Sequence, residues 1–390
     1  MNRWARVPAF LVLVAAAGCT SGSTGGSSAA SGVSFEPATY RVGGGPQQAA
    51  AADLNADGEV DIATADYGSS TISILPGTGD GTFGEAAHVR SGIPHPLGVA
   101  AADMDGDDVP DLVVVGQESP RVAVLLNLGH GRFRTTTYPG ADQGQGLIVA
   151  DVNDDGAPDV IVADGGGGVT PFLNGGNGTL RTTGTVSTSS GMVSGLAAGD
   201  LNGDGNADIV TANSLLGHGD SEQTDSVLLG NGDGTFTRAV VYRNPGRQPT
   251  TVRLADLNGD GNLDVVTPNG CCPSNDATVF VGKGDGTLGE PTSVGVGDSP
   301  HDAALEDVNG DGIVDLLTSN LGTSMDVSAP EDQDLTVLLG VGDGTFGATT
   351  HIADPWPNSL TAADLNADGK VDLIVPNELN GTIVVLLNGG

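Results

Sequence analysis

Basic residues are scarce. Lys and Arg together number 14, against 49 Asp and Glu, which gives a formal charge of −35 over 390 residues. Binding phosphate needs Lys and Arg, so nucleic acid is excluded as a partner. Apolar length is short too. The N-terminal run Val7 to Ala17 is too brief to span a membrane. Cysteine occurs three times, at Cys19, Cys271 and Cys272. The last two are adjacent and have no other partner in an exported chain, so the expectation is a vicinal disulfide that stiffens its loop. Tryptophan occurs twice, and Trp356, held between Pro355 and Pro357, is the only one beyond the N-terminal segment.

That segment has the layout of an export signal. Arg3 and Arg6 precede the apolar run, and Gly18-Cys19 follows it. A Cys directly after Ala-Ala-Gly resembles the lipobox of bacterial lipoproteins, although Ala16 stands where that pattern usually has Leu. The resemblance implies removal of residues 1–18 and lipidation of Cys19. The protein would then belong to the bacterial cell envelope, held to the membrane only through its N-terminal lipid. An ordinary signal peptide is the other reading. Thr20 to Ser31 contains only Ser, Gly, Thr and Ala, so residues 19–33 form a tether with no core of its own.

What the chain has in abundance is one acidic stretch. Asp256-Leu-Asn-Gly-Asp-Gly-Asn-Leu-Asp264 places oxygen side chains at positions 1, 3, 5 and 9 and a glycine at position 6. Equivalent stretches start at Asp53, Asp103, Asp151, Asp200, Asp256, Asp307 and Asp364, 48 to 57 residues apart. They hold 25 of the 49 acidic residues. A hard cation such as Ca²⁺ takes six to eight oxygens, and a short loop wraps it only by turning sharply. Glycine at position 6 supplies the backbone angle for that turn. The opening resembles an EF-hand loop. An EF-hand, however, closes on a Glu at position 12 between helices, whereas here position 12 is Thr267 within a β-branched run. The loop joins two strands.

A repeat of about 50 residues signals a solenoid or a propeller. In the fourth unit, Leu196–Gly199 reads as a small-residue inner strand. The acidic loop follows, then Ile209–Ala212, Val227–Leu229 and Phe236–Tyr242 as further strands. Asn231-Gly-Asp-Gly234 is a turn of the hairpin type. Four antiparallel strands repeated seven times predict an all-β, seven-bladed β-propeller over residues 34–390. The last unit lacks its fourth strand, and Phe35 to Gly43 reads as an orphan fourth strand that closes the ring. Turns such as Asp80-Gly-Thr-Phe-Gly84 and Asp343-Gly-Thr-Phe-Gly347 complete the pattern. With the seven acidic loops, they make the chain resemble the FG-GAP/VCBS repeat proteins, whose blades also occur in the integrin α-subunit propeller.

The resemblance implies up to seven structural Ca²⁺ ions, held by side chains at positions 1, 3, 5 and 9 and a backbone carbonyl at position 7. The ligands would be Asp53, Asn55, Asp57 and Asp61 in the first loop, and Asp103, Asp105, Asp107 and Asp111 in the second. Asp151, Asn153, Asp155 and Asp159 follow, then Asp200, Asn202, Asp204 and Asp208. Asp256, Asn258, Asp260 and Asp264 form the fifth set, Asp307, Asn309, Asp311 and Asp315 the sixth, and Asp364, Asn366, Asp368 and Asp372 the seventh. The second loop departs furthest from the pattern, with Asp105 in place of Asn and Asp108 in place of Gly. Pro110 and Pro158 stiffen the second and third loops.

In an antiparallel meander all the acidic loops share one face. On the other face the second-to-third-strand connections are longest in units four, five and six, and inserted loops often mark the binding side of a repeat protein. The residues there include Asp220, Glu222, Asp225, Asp276, Asp326, Glu331, Asp332 and Asp334, expected as an acidic loop surface. The same face carries a ring eight residues before each acidic loop: Gly45, His95, Gln143, Met192, Gln248, Ser299 and Trp356. Trp356 is either a stacking platform for a sugar ring or packed against its own prolines. His95, His301, Arg247 and His218 are further ligand-face candidates. No nucleophile–base spacing links them, so the expectation is a monomeric binding module for a glycan or an extracellular protein. A carbohydrate-active enzyme on the same scaffold is the alternative, and it requires His95, His301 and Arg247 to converge on one cavity. Arg253 and Glu306, charged residues on neighbouring apolar inner strands, are expected to pair.

Overall fold

The computed structural model describes residues 33–140, 143–188, 191–214, 223–270, 274–322, 333–353 and 357–390. Among them the chain is strand and turn, without a helix. Seven antiparallel sheets follow one another, and within each the strands of one repeat unit run in sequence order. In the fourth, Met192–Gly199 pairs with Asp208–Ser214, then Gln223–Leu228, then Val240–Asn244. The outermost strand thus starts later than its alternating pattern predicts. Phe236 makes only an isolated bridge to Gly230, because Thr237 is tied back to Leu229 across the turn. In the third blade the outer edge is split into Leu180–Thr182 and Val186–Ser187, with Gly184 between them at φ 97°.

The seven sheets form a ring, a seven-bladed β-propeller. The N-terminal strand Phe35–Arg41 supplies the missing outer strand of the last blade, in register with Thr382–Asn388 from Phe35↔Asn388 to Arg41↔Thr382. Closure places every blade between two others. Each residue of the second strand is therefore buried in all seven blades, including Asp61–Asp66, Asp208–Ser214 and Asp372–Asn377. This is why those strands read as β-branched runs rather than alternating ones. Among the described residues the core is divided rather than single. Seven apolar clusters form, one per junction, each drawn from two adjacent blades. Val113 and Val115 of the second blade, for example, pack with Leu147 and Val149 of the third.

The innermost strand of each blade has one edge without a strand partner, and its backbone groups need other partners. Side chains from the preceding blade supply several of them. Gln48 Oε1 accepts from the Val99 amide (3.2 Å), and Ser194 donates to the Pro249 carbonyl (2.6 Å). Thr361 donates to the Ala49 carbonyl across the closing junction (2.9 Å). Arg253 donates through Nε to the Ala303 carbonyl (2.7 Å) and through Nη2 to Asp302 (2.6 Å). The expected Arg253–Glu306 pair is thus corrected: Asp302, not Glu306, takes the guanidinium. Asp302 stands at the edge that Arg253 reaches and also accepts from the Leu360 amide of the seventh blade (3.1 Å). Burial, and then the neighbouring Asp307, push the Glu306 carboxyl up to about 7.

Three acidic residues expected on the inserted loops belong instead to strands and bond inward. Asp276 accepts from Ser274 and Ser293, and Asp334 from Asn320. Asp225 lies in the third strand of blade four and is fully buried. It accepts from Asn244 of its own blade (2.9 Å) and Thr267 of the next (3.3 Å). Burial pushes its carboxyl from 3.8 up to about 7 against those two bonds. Between those values the folded state holds a proton that the unfolded chain has released, so this group's contribution to stability falls as pH rises from 4 to 7. Asp225→Asn removes that slope. Its stability relative to the parent should climb between pH 5 and pH 7, by at most about 3 kcal/mol at about 1.4 kcal/mol per pH unit, and level off above, as read by melting temperature. A constant difference across that range would rule out an uncompensated buried carboxyl.

Candidate metal centre

The seven acidic loops are built alike from the backbone up. The carboxylate at position 1 caps the turn. Asp256 accepts from the amides of Gly259 (2.7 Å), Asp260 (3.2 Å) and Gly261 (2.8 Å). The carboxylate at position 5 accepts from the amide at position 7, as in Asp260 to Asn262 at 2.8 Å and Asp204 to Asn206 at 2.8 Å. Position 6 has positive φ in every copy. Asp108, in the second loop, adopts it at 66°, so the missing glycine is tolerated there. Position 4 is also left-handed throughout, even where it is Ala56, Asp154 or Ala367. The sequence pattern hints at this only through the glycines in the other four copies.

The aspartate at position 9 does something the spacing does not reveal. One carboxylate oxygen accepts from the buried amide at position 2: Leu54 to Asp61 at 2.9 Å, Leu257 to Asp264 at 3.0 Å, Leu365 to Asp372 at 3.0 Å. The other accepts from the amide where the third strand turns: Gly77 to Asp61 at 2.8 Å, Gly282 to Asp264 at 2.8 Å, Asn388 to Asp372 at 2.7 Å. Asp111, Asp159, Asp208 and Asp315 repeat the pair. All seven are buried. Burial raises each carboxyl, the two amides pull it back, and the neighbouring loop aspartates raise it again. Asp61, Asp208 and Asp315 reach about 6, and Asp111 and Asp159 about 7. A carboxylate has about four lone-pair sites, so two bonds leave room for a cation.

The peptide at position 2 also joins the blades. Its side chain is apolar and buried in every loop, from Leu54 to Leu365. Its carbonyl accepts from the following blade: Met104 from Gly178 N (2.7 Å), Leu201 from Gly286 N (3.0 Å), Val308 from Asn388 Nδ2 (2.8 Å).

At position 3 the amides of Asn55, Asn153, Asn202, Asn258 and Asn309 donate to a loop carboxylate, while the Asn366 oxygen accepts from the Asp368 amide. The second loop differs. Asp103, Asp105 and Asp111 each offer an oxygen within 4.8 Å of the others. Asp105 Oδ1 is buried with no hydrogen-bond partner, and burial, then Asp107 and Asp103, raise its carboxyl. The loop that departs furthest from the sequence pattern therefore gathers the densest negative charge. Three convergent carboxylates and an orphaned oxygen are chemistry that fits a hard divalent cation.

On the opposite face the ring residues Gly45, His95, Gln143, Gln248 and Ser299 share a left-handed backbone. His95 lies against Tyr67, with ring centroids 4.7 Å apart, and its Nδ1 is 3.0 Å from the Tyr67 carbonyl. His301 opens the inner strand of blade six, 2.6 Å from the Asn358 carbonyl. Arg247 lies exposed in the connection between blades four and five. These three sit at separate junctions and do not converge. Trp356, His218, Cys19, Cys271 and Cys272 lie outside the described residues, as do the inserted-loop residues Asp220, Glu222, Asp326, Glu331 and Asp332.

If the position-9 carboxylate is a structural staple, Asp264→Ala should cost about 2–5 kcal/mol even in a chelator, since two buried amides lose their acceptor. Asp264→Asn, which retains one acceptor oxygen, should cost less. Thermal melts of both variants in EDTA check this, and an unchanged Asp264→Ala melt would sink it.

A model of the FG-GAP-like repeat matches residues 53–114, 109–162, 151–211, 215–267 and 324–375. No curated protein matches at a significant level. Among solved structures, the chain is similar to an Agrocybe aegerita lectin that recognises non-reducing terminal N-acetylglucosamine. That likeness has 21% identity and a TM-score of 0.53, and covers 80% of this chain and 81% of the lectin. It is similar to BBS1N, solved in complex with ARL6DN, at 13% identity and TM-score 0.61, over 91% of this chain and 97% of that one. A functionally unknown protein from Desulfotomaculum acetoxidans DSM 771 matches at 16% identity and TM-score 0.54, over 85% and 90%. These likenesses are to the fold. The repeat matches span more than half of the sequence and take in six of the seven acidic loops, and the chain belongs to the FG-GAP-like repeat family.

Proposed function

We propose that the protein is a calcium-stabilised binding module of the bacterial cell envelope, exported and tethered through a lipidated Cys19. It takes a glycan or an extracellular protein on the face opposite the acidic loops. The observation that carries this reading is the division of labour between the faces. The acidic loops are knitted into the blades by backbone bonds at positions 1, 5 and 9, and they supply oxygens suited to a structural cation. The opposite face holds the connections that vary between blades. Its candidate acid–base groups His95, His301 and Arg247 stand apart, which favours binding over catalysis. The lectin with the same fold is consistent with a saccharide ligand.

Bound Ca²⁺ would supply positive charge to carboxylates that are otherwise held together in repulsion. The residues at positions 1, 3, 5 and 9 of each loop would hold it, with Asp103, Asp105 and Asp111 the set best gathered for it. A cation that binds only the folded state stabilises it by about 1.4 kcal/mol per site at a tenfold excess over Kd. The melting temperature should therefore fall in EDTA and recover with added calcium. An identical melt in both buffers overturns the structural-calcium reading.

The ligand reading is tested by screening residues 34–390 against glycans and polysaccharides in calcium and in chelator, with product analysis of each hit. Binding without cleavage, lost in Trp356→Ala, supports a lectin-like module. Turnover replaces it with an enzyme, and the absence of any hit moves the ligand to protein.

A further inference from the structure

On the face opposite the acidic loops, a cleft of about 470 Å³ is lined by Gln117, Glu118, Ser119, Pro120 and Gln143. Small-molecule sites typically enclose about 300–1,000 Å³. Two short connections build it. The turn of the second blade is fixed by the Ser119 amide donating to the Gly116 carbonyl (3.2 Å) and by the Gly140 amide donating to the Pro120 carbonyl (3.1 Å). Gln143 enters from the connection to the third blade, at φ 53°. A Cβ at position 165 would stand 2.9 Å from the Gln143 Cβ, so Gly165 is what lets that side chain approach.

The chemistry at its edge is set by His95. The Tyr67 carbonyl beside Nδ1 can only accept, so the ring's Nδ1 carries the hydrogen. In the neutral ring Nε2 is then an acceptor. It faces the Glu118 carboxylate, another acceptor, at 3.6 Å. Two acceptors side by side call for two adjacent O–H donors. A vicinal diol on a sugar ring supplies two, on neighbouring carbons. The His95 ring is held in place against Tyr67, their planes tilted by 40°. Gln117 donates to Gln145 at 3.5 Å, continuing an amide-rich rim. Among the described residues no Lys or Arg lines the cleft, and Arg121 is turned to Thr137 of the outer strand of its own blade (3.1 Å). A phosphate, sulfate or uronate would meet only the Glu118 charge.

We infer that this cleft binds a neutral saccharide unit through a vicinal diol held by His95 Nε2 and Glu118, with the Gln143 amide beside it. The inference rests on the glycan reading of this face. It places the site at the second blade, among the short connections, rather than over the inserted loops of blades four to six.

The test uses the full chain in calcium and a panel of methyl glycosides of mannose, galactose and glucose, read by saturation-transfer NMR and calorimetry. His95→Phe keeps a ring against Tyr67 and removes both nitrogens. Glu118→Ala removes the carboxylate from an exposed turn, and each variant is checked by its melt. Each is expected to weaken the parent's preferred glycoside at least tenfold, with a glycoside methylated on the diol failing to bind the parent. If glycosides bind both variants as they bind the parent and are lost in Trp356→Ala, the face binds glycans but this cleft is not the site. If the parent binds no glycoside and no oligosaccharide in the screen, the glycan reading fails and this site fails with it.

Discussion

The structure depends on a buried carboxylate used seven times. The aspartate at the ninth position of each acidic loop opens the second strand of its blade and holds two backbone amides that would otherwise be buried without acceptors. One belongs to the loop itself and the other to the end of the third strand. A single side chain thus fixes where the loop ends and where the next turn begins. Leaving a buried donor unmade costs more than a surface bond contributes, so this contact constrains its neighbours strongly. Its electrostatic burden is considerable. Burial and nearby aspartates oppose its ionisation, and the loops are a natural place for compensating positive charge.

The ring follows from the same unit. The peptide that donates to that carboxylate accepts from the next blade through its carbonyl and plugs the junction with its side chain. Local loop geometry and long-range assembly therefore share one peptide group. The inner strands add a second set of ties, polar side chains laid onto edge backbone groups. Neither set belongs to one blade. Each apolar cluster likewise straddles a junction, so an isolated blade would expose on both faces what the ring conceals.

The fold was legible because its signals recur. Asp at positions 1 and 9, the positive-φ residue at position 6 and the turn before Phe83 or Phe346 recur in the same order from unit to unit, so each copy checks the others and the strand at Phe35 stands out as an orphan. What did not recur was harder to read. Asp225 looks like one more acid on an inserted loop, yet it is fully buried between two blades, because strand length and not residue type decides which side of the sheet edge it occupies. Arg253 was visible as an oddity on an apolar strand, but its partner is Asp302, toward the far end of the neighbouring inner strand from the charged Glu306 that stood out there. The left-handed ring residues and the His95–Glu118 contact depend on how two connections from different blades approach one another. No periodicity within a blade encodes that approach.

The pairing of Phe35–Arg41 with Thr382–Asn388 also gives the ring a direction. Phe35 lies opposite Asn388, whose amide reaches Asp372 at the acidic-loop end of the blade, and Arg41 lies opposite Thr382 at the other end. The closing strand therefore begins, at Phe35, on the acidic-loop side. A pull applied there along the strand axis loads the seven residue pairs of the closing strand in shear, all at once, instead of peeling them apart one at a time. The seam that makes the ring complete is in this sense also oriented to carry tension.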